Sequence, residues 1–200
     1  MPARTDHDAR RREVSKAVWR VLAAQGFGGL TLRAVATEMG ASTGLLTHYF
    51  PSKHALVMHA LEVAEERTRA RDRDRERRDG EGLAALRTAL ADVLPVSPEL
   101  TEINRVWVSS WDAALADPDL GVLERARYRR WRARLRPLVA AAQERDELPD
   151  GEPDDLVAGL AAFTHGLVVQ ALFDPRTFPR KRLLKLLDDH LATLAAARRG

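Results

Sequence analysis

Glycine and proline cut the first 56 residues into short pieces, and each piece repeats apolar residues at helical spacing. Val14, Val18, Val21 and Leu22 form one stripe, closed by Gly26. Leu32, Val35, Ala36 and Met39 form a second, framed by Thr31 and Gly40. A third piece runs from Ser42 to Tyr49 and stops at Pro51 and Ser52. Intervals of three and four put apolar side chains on one face of an α-helix. Ser or Thr before the first such residue caps a helix, and Gly after the last one ends it. Stripes this short are buried only when short helices pack against one another.

The same periodicity fills the rest of the chain, and period-two alternation is almost absent. The expected fold is all-α, with about nine helices. The first runs from about Asp8 to Gln25, and a fourth starts after Ser52 with Leu56, His59, Ala60 and Val63 on one side. It continues into residues 68–79, a run of Arg, Asp and Glu without an apolar face, read as a solvated helix end. Gly80 and Gly82 precede a fifth helix, and a sixth covers Pro98 to Ala116. A seventh, about Asp119 to Arg145, contains Pro137 and is expected to kink there. The eighth, about Asp154 to Phe173, is apolar nearly all round, and the ninth spans Arg180 to Ala197. Residues 8–54 are expected to form one domain and 55–200 a second.

With 45% hydrophobic residues in a chain of 200, a core needs no disulfide or metal staple. The chain has no cysteine, which excludes disulfides and thiolate metal sites and fits a reducing cytoplasm. No signal-peptide pattern opens the sequence. Thr164, His165 and Gln170 interrupt the most apolar run, so no membrane span is expected. Phosphate-cradling glycine loops, nucleophile elbows and metal-spaced His clusters are missing, so catalysis, cofactors and metals are not expected.

Charge is distributed unevenly. Although 30% of residues are charged, residues 41–56, "ASTGLLTHYFPSKHAL", contain no acid. The first 54 residues carry a net +4. An acid-poor, basic surface attracts a polyanion. The second and third helices, joined at Gly40-Ala41, have the spacing of a helix-turn-helix. Its second helix lies in the DNA major groove between walls of phosphate, where a carboxylate would be repelled. Backbone N–H groups at a helix start capped by Ser42 suit phosphate, and Lys53 follows just behind.

Residues 10–58 resemble the N-terminal domain of the tetracycline-repressor (TetR) family of bacterial transcription regulators. The resemblance runs through Gly26-Phe27, Thr31-Leu32, Ala36 to Gly40, Ser42, Gly44, Leu46, Tyr49-Phe50 and Ser52-Lys53. The segment "STGLLTHYF" is most similar to the branch that contains the choline-responsive repressor of betaine synthesis. The family often has Tyr at the position of Thr47 and a basic or polar residue at that of Thr43. The resemblance implies a dimer on double-stranded operator DNA, released by a small-molecule effector. It places Thr31, Thr47, His48 and Lys53 at phosphate, and Arg33, Thr43, Gly44 and Leu45 at base edges or groove walls. Leu45 equally fits the core, and Tyr49 and Phe50 are read as core.

It further implies an effector pocket among helices four to eight. Asn104, Trp107, Trp111, Tyr128, Trp131, Phe163 and His165 are its candidates, since aromatic boxes bind flat or cationic ligands. Aromatic residues at this spacing serve equally well as core. Gly159, Ala162, Gly166 and Val169 on helix eight, with Leu184, Leu187 and Leu191 on helix nine, are the candidate dimer face. A second reading keeps the dimer and the DNA and has the larger domain sense nothing.

Overall fold

The computed structural model describes the backbone of residues 3–75 and 81–197, and the side chains of 9–70 and 81–197. Among the described residues there are nine helices and no strand. They are α1 (Ala3–Gln25), α2 (Leu32–Met39), α3 (Thr43–Tyr49), α4 (Lys53–Arg75), α5 (Gly82–Ala91), α6 (Pro98–Ala116), α7 (Pro118–Glu144), α8 (Pro153–Phe173) and α9 (Arg180–Ala197). The all-helical expectation holds, element by element. For the charged run at 68–79, the side chains past residue 70 lie outside the described residues.

The chain divides into two compact units. The first contains α1 to α4 and the segment Arg105–Leu120. The second contains α5, the start of α6 up to Asn104, and the chain from Gly121 through α9.

In the first unit α1 packs on α2 and α4, and α2 packs on α3. Val14, Val18, Val21 and Leu22 of α1 are buried with Leu30, Val35, Ala36, Leu46, Phe50, Leu56 and Ala60. Burying one such Leu or Val side chain is worth about 1.5–3 kcal/mol, so the stripes seen in the sequence hold this unit together. The back half of α6 is fastened to it by polar contacts. Ser109 Oγ accepts from the Phe27 N–H at 3.3 Å. The Trp107 indole donates to Thr68 Oγ1 at 3.2 Å. The Asp117 carboxylate meets His54 Nδ1 at 3.0 Å through one oxygen. Its other oxygen accepts from the Asp119 and Leu120 amides, capping α7.

In the second unit α9 packs on α5 and α8. Val157, Leu160, Ala161, Thr164, Leu167, Val168 and Ala171 form the buried face of α8, and Leu183, Leu187 and Leu191 that of α9. Arg87 makes a paired contact with Asp188, tying α5 to α9. By length and composition α8 could cross a bilayer. It carries Asp154 and Asp155 in its first turn and packs one face into this core. Helix α7 continues through Pro137. A proline leaves the carbonyl four residues earlier without its amide. Here Ala133 and Pro137 are both exposed, on a side where water can take that bond.

Candidate nucleic-acid interface

The corner between α2 and α3 is built by local hydrogen bonds. Thr31 Oγ1 accepts from the Ala34 amide at 3.0 Å and starts α2. At the other end Gly40 takes φ 64°, a left-handed conformation that costs glycine least. The Gly40 amide then bonds Thr37 O, and the Ala41 amide bonds Ala36 O at 2.9 Å. This pair is the Schellman closure of a helix end. It turns the chain at once into Ser42, whose Oγ accepts from the Leu45 amide at 3.3 Å. Leu46 and Phe50 anchor α3 from beneath, both buried. Behind it, Ser52 caps α4 by accepting from the Ala55 amide at 3.0 Å.

What remains outward is the set expected from the sequence. Thr31, Arg33, Ser42, Thr43, Gly44, Thr47, His48 and Lys53 are exposed, and Leu45 is half-buried beside them. Tyr49 is half-buried, its ring edge-on to His48 at 5.7 Å. Among the described residues neither Arg33 nor Lys53 makes an ion pair. Between residues 14 and 61 the only acid is Glu38, and Arg20 of α1 is salt-bridged to it. The face is therefore more cleanly positive than composition indicates. One hydroxyl is not free as it stands. Thr47 Oγ1 donates to Thr43 O at 3.0 Å, so it must rotate away from its own helix to donate to a phosphate.

The pocket candidates are distributed over both units. Trp107, buried, and Trp111, half-buried, belong to the first. The others belong to the second. There Asn104 is buried and donates its amide to Val93 O and Leu100 O, each at 2.8 Å, stitching the loop before α6. Phe163 stacks on His190 with centroids 4.0 Å apart. Tyr128, Trp131 and His165 do come together: the imidazole lies 5.1 Å from Tyr128 and 4.8 Å from Trp131. Burial, and then the nearby Arg127, push His165 down to about 4. Burial also raises the Tyr128 phenol against the opposing pull of Arg127.

Of the dimer candidates, Gly159, Ala162 and Gly166 are exposed, and Val169 and Leu184 are half-buried. Leu187 and Leu191 are sealed within this unit's own core. Sequence reasoning did not find Arg127, Glu124, Asp117 or the Arg20–Glu38 pair. Asp117 and the Arg20–Glu38 pair act through contacts between helices that periodicity does not encode, whereas Glu124 and Arg127 stand at i,i+3 spacing on α7, one of several such charge pairs that the sequence offers there.

A short helix without acids, held outward by a closed corner and a buried anchor, defines a helix-turn-helix nucleic-acid reader. Comparison with known proteins agrees. Residues 15–60 match the model of bacterial regulatory proteins of the tetR family, and residues 82–196 match that of the BetI-type transcriptional repressor C-terminal domain. The chain belongs to the TetR family of bacterial transcriptional regulators, with a BetI-type C-terminal region, and is a helix-turn-helix, DNA-binding regulator. It is 28% identical to the HTH-type transcriptional regulator PksA of Bacillus subtilis, over 97% of this chain and 94% of that one. It is also 28% identical to the regulator BetI of Burkholderia mallei, over 99% and 100%. A transcriptional regulator from Saccharomonospora viridis, solved in complex with choline, shares the fold with a TM-score of 0.81 at 23% identity, covering 92% of this chain and 96% of that one. A transcriptional regulator from Rhodococcus superposes with the same TM-score of 0.81 at 24% identity, over 93% and 96%.

Proposed function

We propose that this regulator is a cytoplasmic repressor that binds a palindromic operator as a homodimer and is released by a small-molecule effector. Residues 8–54 read the DNA, and 55–200 sense the effector and dimerise. The observation that carries this reading is the exposed, acid-free face of α3 flanked by Arg33 and Lys53, both without acidic partners among the described residues. Such a face suits phosphate walls on both sides and base edges at its tip. Arg33 is assigned a bidentate contact to guanine. Thr31, Ser42, Thr47, His48 and Lys53 are assigned to the backbone, and Thr43, Gly44 and Leu45 to the groove.

The dimer face is the exposed side of α8, where Gly159, Ala162 and Gly166 align with Val169 and with Leu184 of α9. A Cβ at Gly159 or Gly166 would meet nothing within 4 Å in this chain. The protein's own packing thus gives no reason for glycine there, whereas close approach of a second α8 does. Phe173, 81% exposed at the end of the same helix, adds apolar surface. Two-fold pairing matches a palindromic site with half-sites a whole number of helical turns apart. Effector sensing is assigned to the cluster of Tyr128, Trp131 and His165, and choline bound by the Saccharomonospora viridis protein shows that the fold can hold a small ligand.

The test is a gel shift on the DNA flanking the gene, paired with sedimentation of the complex. Two chains per operator are expected. Gly166→Leu, at an exposed position where an added Cβ meets nothing within 4 Å in this chain, should give monomers and weaken operator binding by about tenfold or more. A monomeric wild-type protein that binds its operator at full affinity contradicts the reading.

A further inference from the structure

An aromatic face backed by a carboxylate is the chemistry that holds a quaternary ammonium ion. Between α7 and α8 both parts of that chemistry are present, and both are already in use. The Arg127 guanidinium lies 4.5 Å from the centroid of the Tyr128 ring, over its face. The same guanidinium donates to Glu124 twice, from Nε to Oε2 at 3.0 Å and from Nη2 to Oε1 at 2.5 Å. The Arg127 and Glu124 side chains are only 15% and 13% exposed, so the arrangement is a largely desolvated fork-to-fork pair. Tyr128 also meets His165 edge to face, and His165 leans on Trp131.

This neighbourhood resists a second positive charge. Burial first and Arg127 second hold the His165 imidazole at about 4, so at neutral pH it carries no proton charge. A ligand cation would meet the same burial and the same guanidinium. An anion gains little, because the Glu124 carboxylate lies against the same guanidinium and repels it. What the cluster presents is the half-buried Trp131 ring, a surface for a flat, uncharged molecule.

We propose that Arg127 is a tethered cation filling the aromatic-and-carboxylate seat, so that the effector read by this cluster is a flat, uncharged molecule and not a quaternary ammonium ion. The proposal rests on the assignment of effector sensing to the Tyr128, Trp131 and His165 cluster.

The experiment titrates the full-length protein with tetramethylammonium chloride, choline chloride and indole, each against matched sodium chloride. Binding is followed by calorimetry and by the melting midpoint. Wild type should show saturable binding of indole and none of either ammonium ion. Arg127→Met bares the Tyr128 face and frees the Glu124 carboxylate, and it should gain saturable tetramethylammonium binding at least about tenfold above any wild-type signal. The double variant Arg127→Met, Glu124→Gln should lose that gain, and Arg127→Lys, which keeps a tethered cation, should behave as wild type. Saturable ammonium binding by wild type or by Arg127→Lys overturns the proposal, and so does a folded Arg127→Met that gains nothing. Should Arg127→Met not fold, wild type and Arg127→Lys still decide the matter. Failure of the sensing assignment looks different: indole binds, the ammonium ions do not, and the protein–operator complex stays intact.

Discussion

The α2–α3 corner and the α7–α8 cluster treat charge in opposite ways. At the corner, cations stand in water without partners, and the single nearby acid is neutralised from α1. In the cluster, a guanidinium and a carboxylate satisfy each other out of water beside aromatic rings. The surface proposed to meet a polyanion keeps its cations unspent, and the surface proposed to hold a small molecule has its charges balanced from within. The corner also depends on neighbours in sequence, with caps three residues from their amides. The cluster depends on partners far apart in chain order, Tyr128 and His165, 37 residues from one another.

The contrast can be tested by disturbing each side. The largest effect is expected at the base of the corner. Leu46 is fully buried, and Leu46→Ala should cost about 2–5 kcal/mol in a denaturant melt and abolish operator binding with it. Retained binding in a destabilised protein would show that the anchor is not what holds α3 outward.

Acid should act on the cluster. The His165 proton is bound more weakly in the folded state, at about 4, than in the unfolded chain near 6.5. Above pH 6.5 neither state is protonated and stability is unaffected. As pH falls from there towards 4 the unfolded chain takes up a proton that the folded one refuses, and stability is lost. The loss from this group reaches at most about 3 kcal/mol. His165→Phe should flatten that part of the pH profile, and an unchanged slope would place the imidazole in a more polar setting than the one described.

A smaller effect is expected at the α3 cap. Ser42→Ala removes the acceptor of the Leu45 amide and should cost about 1 kcal/mol. Ser42→Gly should cost only a few tenths. If the two cost the same, the serine matters for something other than the cap.

Much of the fold was legible because its signals are local. Gly26 and Gly40 mark helix ends, Thr31, Ser42 and Ser52 mark starts, and the apolar stripes of α1 to α3 became the core of the first unit. The exposed face of α3 followed from the same periodicity, since fixing Leu46 inward leaves Thr43, Thr47 and His48 outward. Two features were not legible. Helix α1 begins at Ala3 and not near Asp8, because charged residues extend a helix without leaving an apolar mark. Leu187 and Leu191 looked available to a partner, yet α5 and α8 leave them no outward surface. Periodicity shows which side of a helix is apolar and is silent on what covers it. The partners of charged residues were hidden for a related reason: seven arginines between positions 125 and 136 look alike in sequence, and only the fold places one of them on Tyr128.

In the proposed interface Arg33, at the start of α2, reads a base while Lys53, just behind α3, holds phosphate, and comparing the two cations measures this directly. Operator and unrelated duplex should be titrated with wild type, Arg33→Ala and Lys53→Ala across a range of salt. Arg33→Ala should weaken operator binding by about 1–3 kcal/mol while leaving unrelated DNA nearly unaffected. Lys53→Ala should weaken both duplexes alike and reduce the slope of log affinity against log salt by about one unit per DNA-bound chain. If both variants lose affinity equally on both duplexes, Arg33 does not read a base and the division of roles between the two cations fails.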